Sequence, residues 1–137
     1  MRVLVVDDDR DQLIVRCMLV SHHGFETMRA SDADSAAKLA FSRHAEIAVL
    51  DVNLPTREIG LKLLTDLKAA NPELYVIVMT GTDPARLRDH PEMRLADEVL
   101  VKGASAKALL ASLKRVSERR VAGDLAARCA SASGSKV

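Results

Sequence analysis

Aromatic side chains are almost absent: the chain has no tryptophan, one tyrosine (Tyr75) and two phenylalanines (Phe25 and Phe41). That removes the stacking surfaces on which single-stranded nucleic acids are held, and it makes the core aliphatic. An excess of charge of either sign is also missing. Twenty basic residues against 19 acidic ones leave a formal net charge of +1, which gives no electrostatic case for direct nucleic-acid or membrane binding. Only two cysteines are present. Cys17 sits in an apolar helical stretch, as a small buried hydrophobe would, and Cys129 in a polar tail, so neither a disulfide framework nor metal-ligand spacing is indicated. No apolar run approaches the length of a membrane span, and Met1 and Arg2 lead straight into a short strand rather than a secretory leader. A reducing cytoplasm is the expected location.

What is present is a regular alternation. With 137 residues, 48% of them hydrophobic, the chain suits one domain with a sizeable core. Val3 to Val6 is a continuous β-branched-rich run, as a strand buried on both faces requires. Leu13, Cys17 and Val20, with Ile14 and Met18, then recur at helical spacing up to the stop at Gly24. Phe25 to Ala30 reads as a second strand. Ser31 or Asp32 can cap a helix whose inner face uses Ala36, Leu39, Ala40 and Phe41. Ile47 to Leu50 is a third buried strand. Leu61, Leu64 and Leu67 mark a helix ending at Asn71 and Pro72, and Tyr75 to Met79 is a fourth strand. Between Asp83 and Leu95 the prolines 84 and 91 predict a short or broken element. Val99 to Val101 is the fifth strand, and a last helix starts near Ser105 and carries Leu109, Leu110, Leu113 and Val116. The expected domain therefore covers residues 1–122, with 123–137 a flexible tail or the start of a linker. The fold class is α/β: a five-stranded parallel, doubly wound sheet with helices on both faces.

Sheets of this kind bind ligands at the carboxyl ends of their strands, beside the point where strand order reverses. Those ends carry Asp7 and Asp8, then Asp51, then Thr80, then Lys102. Carboxylates gathered in one place repel, and at least one keeps its proton unless a cation neutralises them. Their oxygens suit a hard cation such as Mg²⁺, which leaves room for phosphate. A carboxylate can itself attack phosphorus to give an acyl phosphate. A lysine ammonium and a threonine hydroxyl would bind the remaining phosphoryl oxygens, since phosphoryl transfer is mostly positioning and charge stabilisation. Taken singly these residues are ordinary: Asp9 reads as a helix cap, Lys102 as a solvated strand end and Thr80 as a turn residue. The four histidines (22, 23, 44 and 90) show no ligand spacing, and Lys114, Arg115, Arg119 and Arg120 read as a solvated helix face.

In order and on the right strands, however, the segments Val3-Leu4-Val5-Val6-Asp7-Asp8-Asp9, Leu50-Asp51-Val52-Asn53-Leu54-Pro55, Met79-Thr80-Gly81 and Leu100-Val101-Lys102 make residues 1–120 resemble a bacterial response-regulator receiver domain. The resemblance implies a flavodoxin-like (βα)5 fold and phosphorylation of Asp51, with Thr80 and Lys102 as phosphoryl contacts. It implies Mg²⁺ held by Asp8, Asp51 and the Asn53 backbone carbonyl, with Asp7 supporting through water. The implied donor is a phosphohistidine on a sensor histidine kinase or histidine phosphotransfer protein, and the output is a changed surface for a downstream protein. The expected role is a cytoplasmic signalling module of a two-component phosphorelay rather than an enzyme. It needs no direct contact with nucleic acid or membrane, and a homodimer is compatible with it.

Three positions depart from the family pattern. Gly103 stands where proline usually follows the lysine, commonly after a cis bond; a cis bond before a non-proline residue costs about 2.5–4 kcal/mol, so a trans link is expected. Val99 replaces the aromatic switch residue of many receivers, so any propagated change must use aliphatic repacking or the segment near Pro91. Gly60 comes one residue later than usual after Pro55, which lengthens the loop beside the acceptor and brings in Thr56, Arg57 and Glu58. Other readings remain: a degenerate receiver that binds partners without phosphorylation, and an aspartyl-nucleophile phosphohydrolase. The hydrolase pattern wants Thr or Val where Asp11 stands. A nucleotide or flavin module would need a glycine-rich turn after the first strand, which is missing.

Overall fold

Each short β-branched run becomes a strand, and each run of helical periodicity becomes a helix until the prolines intervene. The computed structural model describes residues 1–81, 84–87, 89–102 and 106–134. The chain divides into two units, Met1–Ala104 and Ser105–Val137. The first contains strands β1 (Arg2–Val6), β2 (Glu26–Ala30), β3 (Ile47–Asp51), β4 (Tyr75–Thr80) and β5 (Glu98–Val101), and helices α1 (Arg10–His22), α2 (Ala33–Ser42) and α3 (Arg57–Ala70). The second contains helix α4 (Ala106–Gly134).

All four strand pairings are parallel, in the order β2-β1-β3-β4-β5. Strand order therefore reverses at β1: the chain steps to one side for β2 and to the other for β3. Both faces of the sheet are closed. Leu4, Val6, Ala48, Leu50, Val76 and Val78 pack with Ala36 of α2 and Leu61, Leu63, Leu64 and Leu67 of α3. The alternate residues Val3, Val5, Ile47, Val49 and Ile77 are equally buried. That is why these strands read as unbroken apolar runs rather than as alternation.

The helix starts follow their caps. Asp9 accepts the backbone N–H groups of Asp11 (3.0 Å) and Gln12 (3.3 Å), and Asp32 accepts that of Ser35 (2.7 Å). Each carboxylate satisfies donors that have no partner within the helix. Thr56 caps α3 through the N–H of Ile59 at 3.3 Å. Gly60, in the first turn of α3, lies so close to β3's exit that an added Cβ would stand 1.9 Å from the carbonyl oxygen of Val52. A glycine at this position of α3 is required by this close approach.

Two expectations change. Phe41 is not on the inner face of α2; it is 78% exposed. Ile14 and Met18 point outward from α1, whose buried residues are Leu13 and Val20, and Cys17 is only half-buried. A helix of this length buries one stripe, and apolar residues outside it stay in water. The fourth connection is short and broken, as its prolines predict: it carries two 3₁₀ turns, Pro84–Leu87 and Pro91–Leu95, the second opening at Pro91, and Leu87 is buried in the core. The backbone of α4 continues past Gly123 to Gly134, through a stretch whose alanines at 122, 126, 127, 130 and 132 favour helix. Within α4, Leu109, Leu113 and Val116 are buried. Asp83, Ser105 and the expected trans link at Gly103 lie outside the described residues.

Candidate functional site

Register brings the acidic residues together. Val6 pairs with Leu50 across β1 and β3, so the residues that follow, Asp7 and Asp51, leave adjacent strands side by side at the reversal point. Asp8 comes with Asp7, and one carboxylate oxygen from each of Asp7, Asp8 and Asp51 lies within 4.8 Å of the others. On the other side of β3, Thr80 pairs with Val101, which sets Lys102 beside the end of β4. The Lys102 N–H donates to the Thr80 carbonyl at 2.6 Å. Asp7, Asp51 and Thr80 are buried, whereas Asp8 is exposed. Asn53 stands next to Asp51, and its N–H donates to Asp51 Oδ1 at 3.0 Å.

Lys102 reaches back into the cluster. Its ammonium donates to Asp51 Oδ2, stands 3.5 Å from Asp7 Oδ2, and donates to Gln12 Oε1 at 3.2 Å. A second cation had no place in the sequence reading: Arg16 Nη1 lies 2.6 Å from Asp7 Oδ2, and its Nη2 lies 3.4 Å from Gln12 Oε1. The signal was legible as a charged residue on the apolar stripe of α1, three positions after Leu13 and four before Val20.

The two buried carboxyls respond in opposite directions. Burial pushes Asp7 up, but the Asp9 N–H, the Arg16 guanidinium and the Lys102 ammonium outweigh it, and Asp7 titrates below the ordinary carboxylate value. For Asp51, burial outweighs the help from Lys102 and the Asn53 N–H, and the charge of Asp7 adds to it, so Asp51 titrates above the ordinary value.

Next to this cluster a groove of about 790 Å³ is lined by Asn53, Arg57, Glu58, Lys62, His90 and Glu92 among others. The residues after Pro55 thus line a surface beside the site. Val99 is half-buried and packs against the aliphatic core. Among the described residues no helix is long and apolar enough to cross a membrane.

The sequence model of the response regulator receiver domain family matches residues 3–114. The chain belongs to that family. It is a receiver domain of the two-component response regulators, which are signalling proteins. It is 33% identical to the transcriptional regulatory protein PrrA of Mycobacterium tuberculosis over 119 residues, 87% of this chain and 51% of that protein. The chain therefore spans about half the length of such curated relatives. A CheY-like receiver domain protein from Methanospirillum hungatei has the same fold, with a TM-score of 0.79 and 23% identity over 89% of this chain and 97% of that one. A response regulator from Burkholderia pseudomallei with a phosphorylated aspartic acid, a calcium ion and citrate superposes with a TM-score of 0.73. It is 26% identical and covers 90% of this receiver and 73% of that chain.

Proposed function

We propose that Asp51 is the phosphoacceptor of this receiver and that it takes its phosphoryl group from a phosphohistidine on a sensor histidine kinase or histidine phosphotransfer protein. The observation that carries this is the placement of Asp51 beside Asp7 and Asp8 at the strand-order reversal, with the Lys102 ammonium on its carboxylate. In the transfer, an Asp51 carboxylate oxygen forms a bond to phosphorus while the bond from phosphorus to the histidine nitrogen breaks, and the imidazole leaves with its electron pair and takes up a proton. Lys102 and the hydroxyl of Thr80 hold phosphoryl oxygens, and the Asn53 N–H keeps Asp51 oriented.

The donor set fits a hard divalent cation: carboxylate oxygens within 4.8 Å of one another, one of them on an exposed residue. Asp8, Asp51 and the Asn53 backbone carbonyl would hold Mg²⁺, with Asp7 acting through water. The ion supplies charge neutralisation between the anionic nucleophile and the phosphoryl oxygens. The phosphorylated aspartate and bound calcium named for the Burkholderia relative support the same reading here. Residues 1–122 form the receiver, and residues 123–137 a tail or linker. The module works in the cytoplasm and passes the signal to a downstream protein through Thr80 and aliphatic repacking near Val99. It does so without direct nucleic-acid or membrane contact and without turnover of a substrate of its own, and its surface permits a homodimer.

The test is intact mass after incubation with Mg²⁺ and acetyl phosphate, for wild type and Asp51→Asn. One added phosphoryl group that requires Mg²⁺ and disappears in the variant is expected. No adduct would leave a receiver that binds partners without phosphorylation, and steady hydrolysis of phosphoesters would indicate a phosphohydrolase.

A further inference from the structure

The acidic cluster contains more of its own positive charge than phosphoryl binding alone requires. Lys102 stands against Asp7 and Asp51 of the cluster, and Arg16 against Asp7. Lys102 has a use in the proposed chemistry; Arg16 has none. Yet the Arg16 side chain is only 14% exposed, and its shortest contact, 2.6 Å, is to Asp7 Oδ2, on a carboxylate with no exposure at all. The other oxygen of Asp7 accepts the Asp9 N–H at 2.9 Å. Both Asp7 oxygens are thus satisfied by the chain itself. Gln12 bridges the two cations, accepting from Lys102 at 3.2 Å and from Arg16 at 3.4 Å, so Asp7, Arg16, Gln12 and Lys102 form a closed polar ring to which Asp51 is joined through Lys102.

We propose that Arg16 is a built-in counter-ion that takes part of the divalent cation's role at Asp7 and so weakens the affinity of the pocket for that cation. The inference rests on the reading of the pocket as a cation site. With both side-chain cations in place the cluster carries a net charge of about minus one rather than minus two. A divalent ion entering it therefore gains less attraction and must approach a fixed guanidinium. Even at the full dielectric of water, Coulomb repulsion between a unit charge and a divalent ion a few ångströms apart is worth about tenfold in affinity. Arg16 keeps the folded pocket tolerable when no metal is bound, because a buried carboxylate without a partner is costly. The consequence is a receiver that fills with metal only at higher free Mg²⁺ and holds its shape below that level.

A purely structural role for Arg16, tethering α1 to the end of β1, predicts something else: loss of the side chain would loosen Asp7 and leave metal binding unchanged or weaker. Isothermal titration of the whole chain with MgCl₂ distinguishes the two, using wild type, Arg16→Met, Arg16→Lys and Asp8→Asn. The expectation is about tenfold tighter Mg²⁺ binding in Arg16→Met, near wild-type binding in Arg16→Lys, and loss of binding in Asp8→Asn. In EDTA, Arg16→Met should melt below wild type, and saturating Mg²⁺ should close most of that gap. If Arg16→Met does not fold, Arg16→Gln carries the same expectation. Wild-type binding that depends on Asp8 but is not tightened by Arg16→Met or Arg16→Gln would overturn the inference and leave the cation site standing. Tightening in Arg16→Lys equal to that in Arg16→Met would also overturn it. Absence of Mg²⁺ binding in every variant would overturn the site reading and the inference together.

Discussion

Lys102 donates from its ammonium to Oδ2 of Asp51, although the two residues leave β5 and β3, which are not neighbours in the sheet. The contact spans the end of β4. On the proposed reading, the carboxylate that would accept phosphorus is already held by the group that would bind the phosphoryl oxygens.

Replacing Lys102 by Met should therefore separate metal binding from phosphoryl transfer. Mg²⁺ affinity is expected to stay or rise, since a positive charge leaves the pocket. The rate of phosphorylation by acetyl phosphate should fall roughly 10²-fold, the usual effect of removing one stabilising donor from a reacting oxyanion. Stopped-time intact mass together with MgCl₂ titration measures both. A parallel loss of metal binding would show that Lys102 acts by building the pocket rather than by contacting phosphoryl oxygens.

Asp7 and Asp51 should differ in what they do for metal-free stability. The folded value for Asp51 lies above its ordinary 3.8. Its favourable contribution is present in full below the unfolded value and is lost as pH rises through the folded one. In EDTA at neutral pH, Asp51→Asn should raise the thermal midpoint, and the advantage should shrink as the pH falls toward the Asp51 titration. Asp7 lies below its ordinary value, so its contribution is present above the unfolded value and disappears as pH falls through the folded one. Asp7→Asn should lower the neutral-pH midpoint, because Arg16 loses a buried partner; breaking such a pair costs about 3 kcal/mol or more. Scanning calorimetry of both variants from pH 3 to 8, with shifts of the same sign at neutral pH, would contradict this division.

Gly60 should tolerate no side chain. A Cβ 1.9 Å from the Val52 carbonyl oxygen meets backbone, which cannot swing away. Gly60→Ala is expected to cost about 1–3 kcal/mol, the range for overpacking, or more. Chemical denaturation of the variant with unchanged slope and a lower midpoint is the expected result, although alanine is the better helix former.

Phe41→Ser should change stability by less than about 0.5 kcal/mol, as at other exposed positions. A loss of several kcal/mol on urea denaturation would return Phe41 to the core, where its spacing on α2 first placed it.

The strands and the acidic cluster were legible because parallel strands buried on both faces must be apolar throughout, so Val6 and Leu50 end their runs abruptly in aspartates. The helices were less legible, since periodicity tells which residues are apolar but not which stripe turns inward; Phe41, Ile14 and Met18 are the cost of that ambiguity. The role of Arg16 is hard to read from sequence for a related reason. Its partner Asp7 is nine positions away, outside the helix, and only the meeting of α1 with the end of β1 makes the pair. The close approach at Gly60 likewise depends on where Val52 leaves β3, which no local pattern records.

Chemical identification of the phosphorylated side chain tests the central claim most directly. Borohydride reduces an aspartyl phosphate to homoserine, which peptide mass mapping then locates. After incubation with acetyl phosphate and Mg²⁺, homoserine is predicted at position 51 alone, and none when EDTA replaces the metal. Homoserine at Asp7, Asp8 or Asp9, or a phosphorylated chain with none at all, would contradict the account.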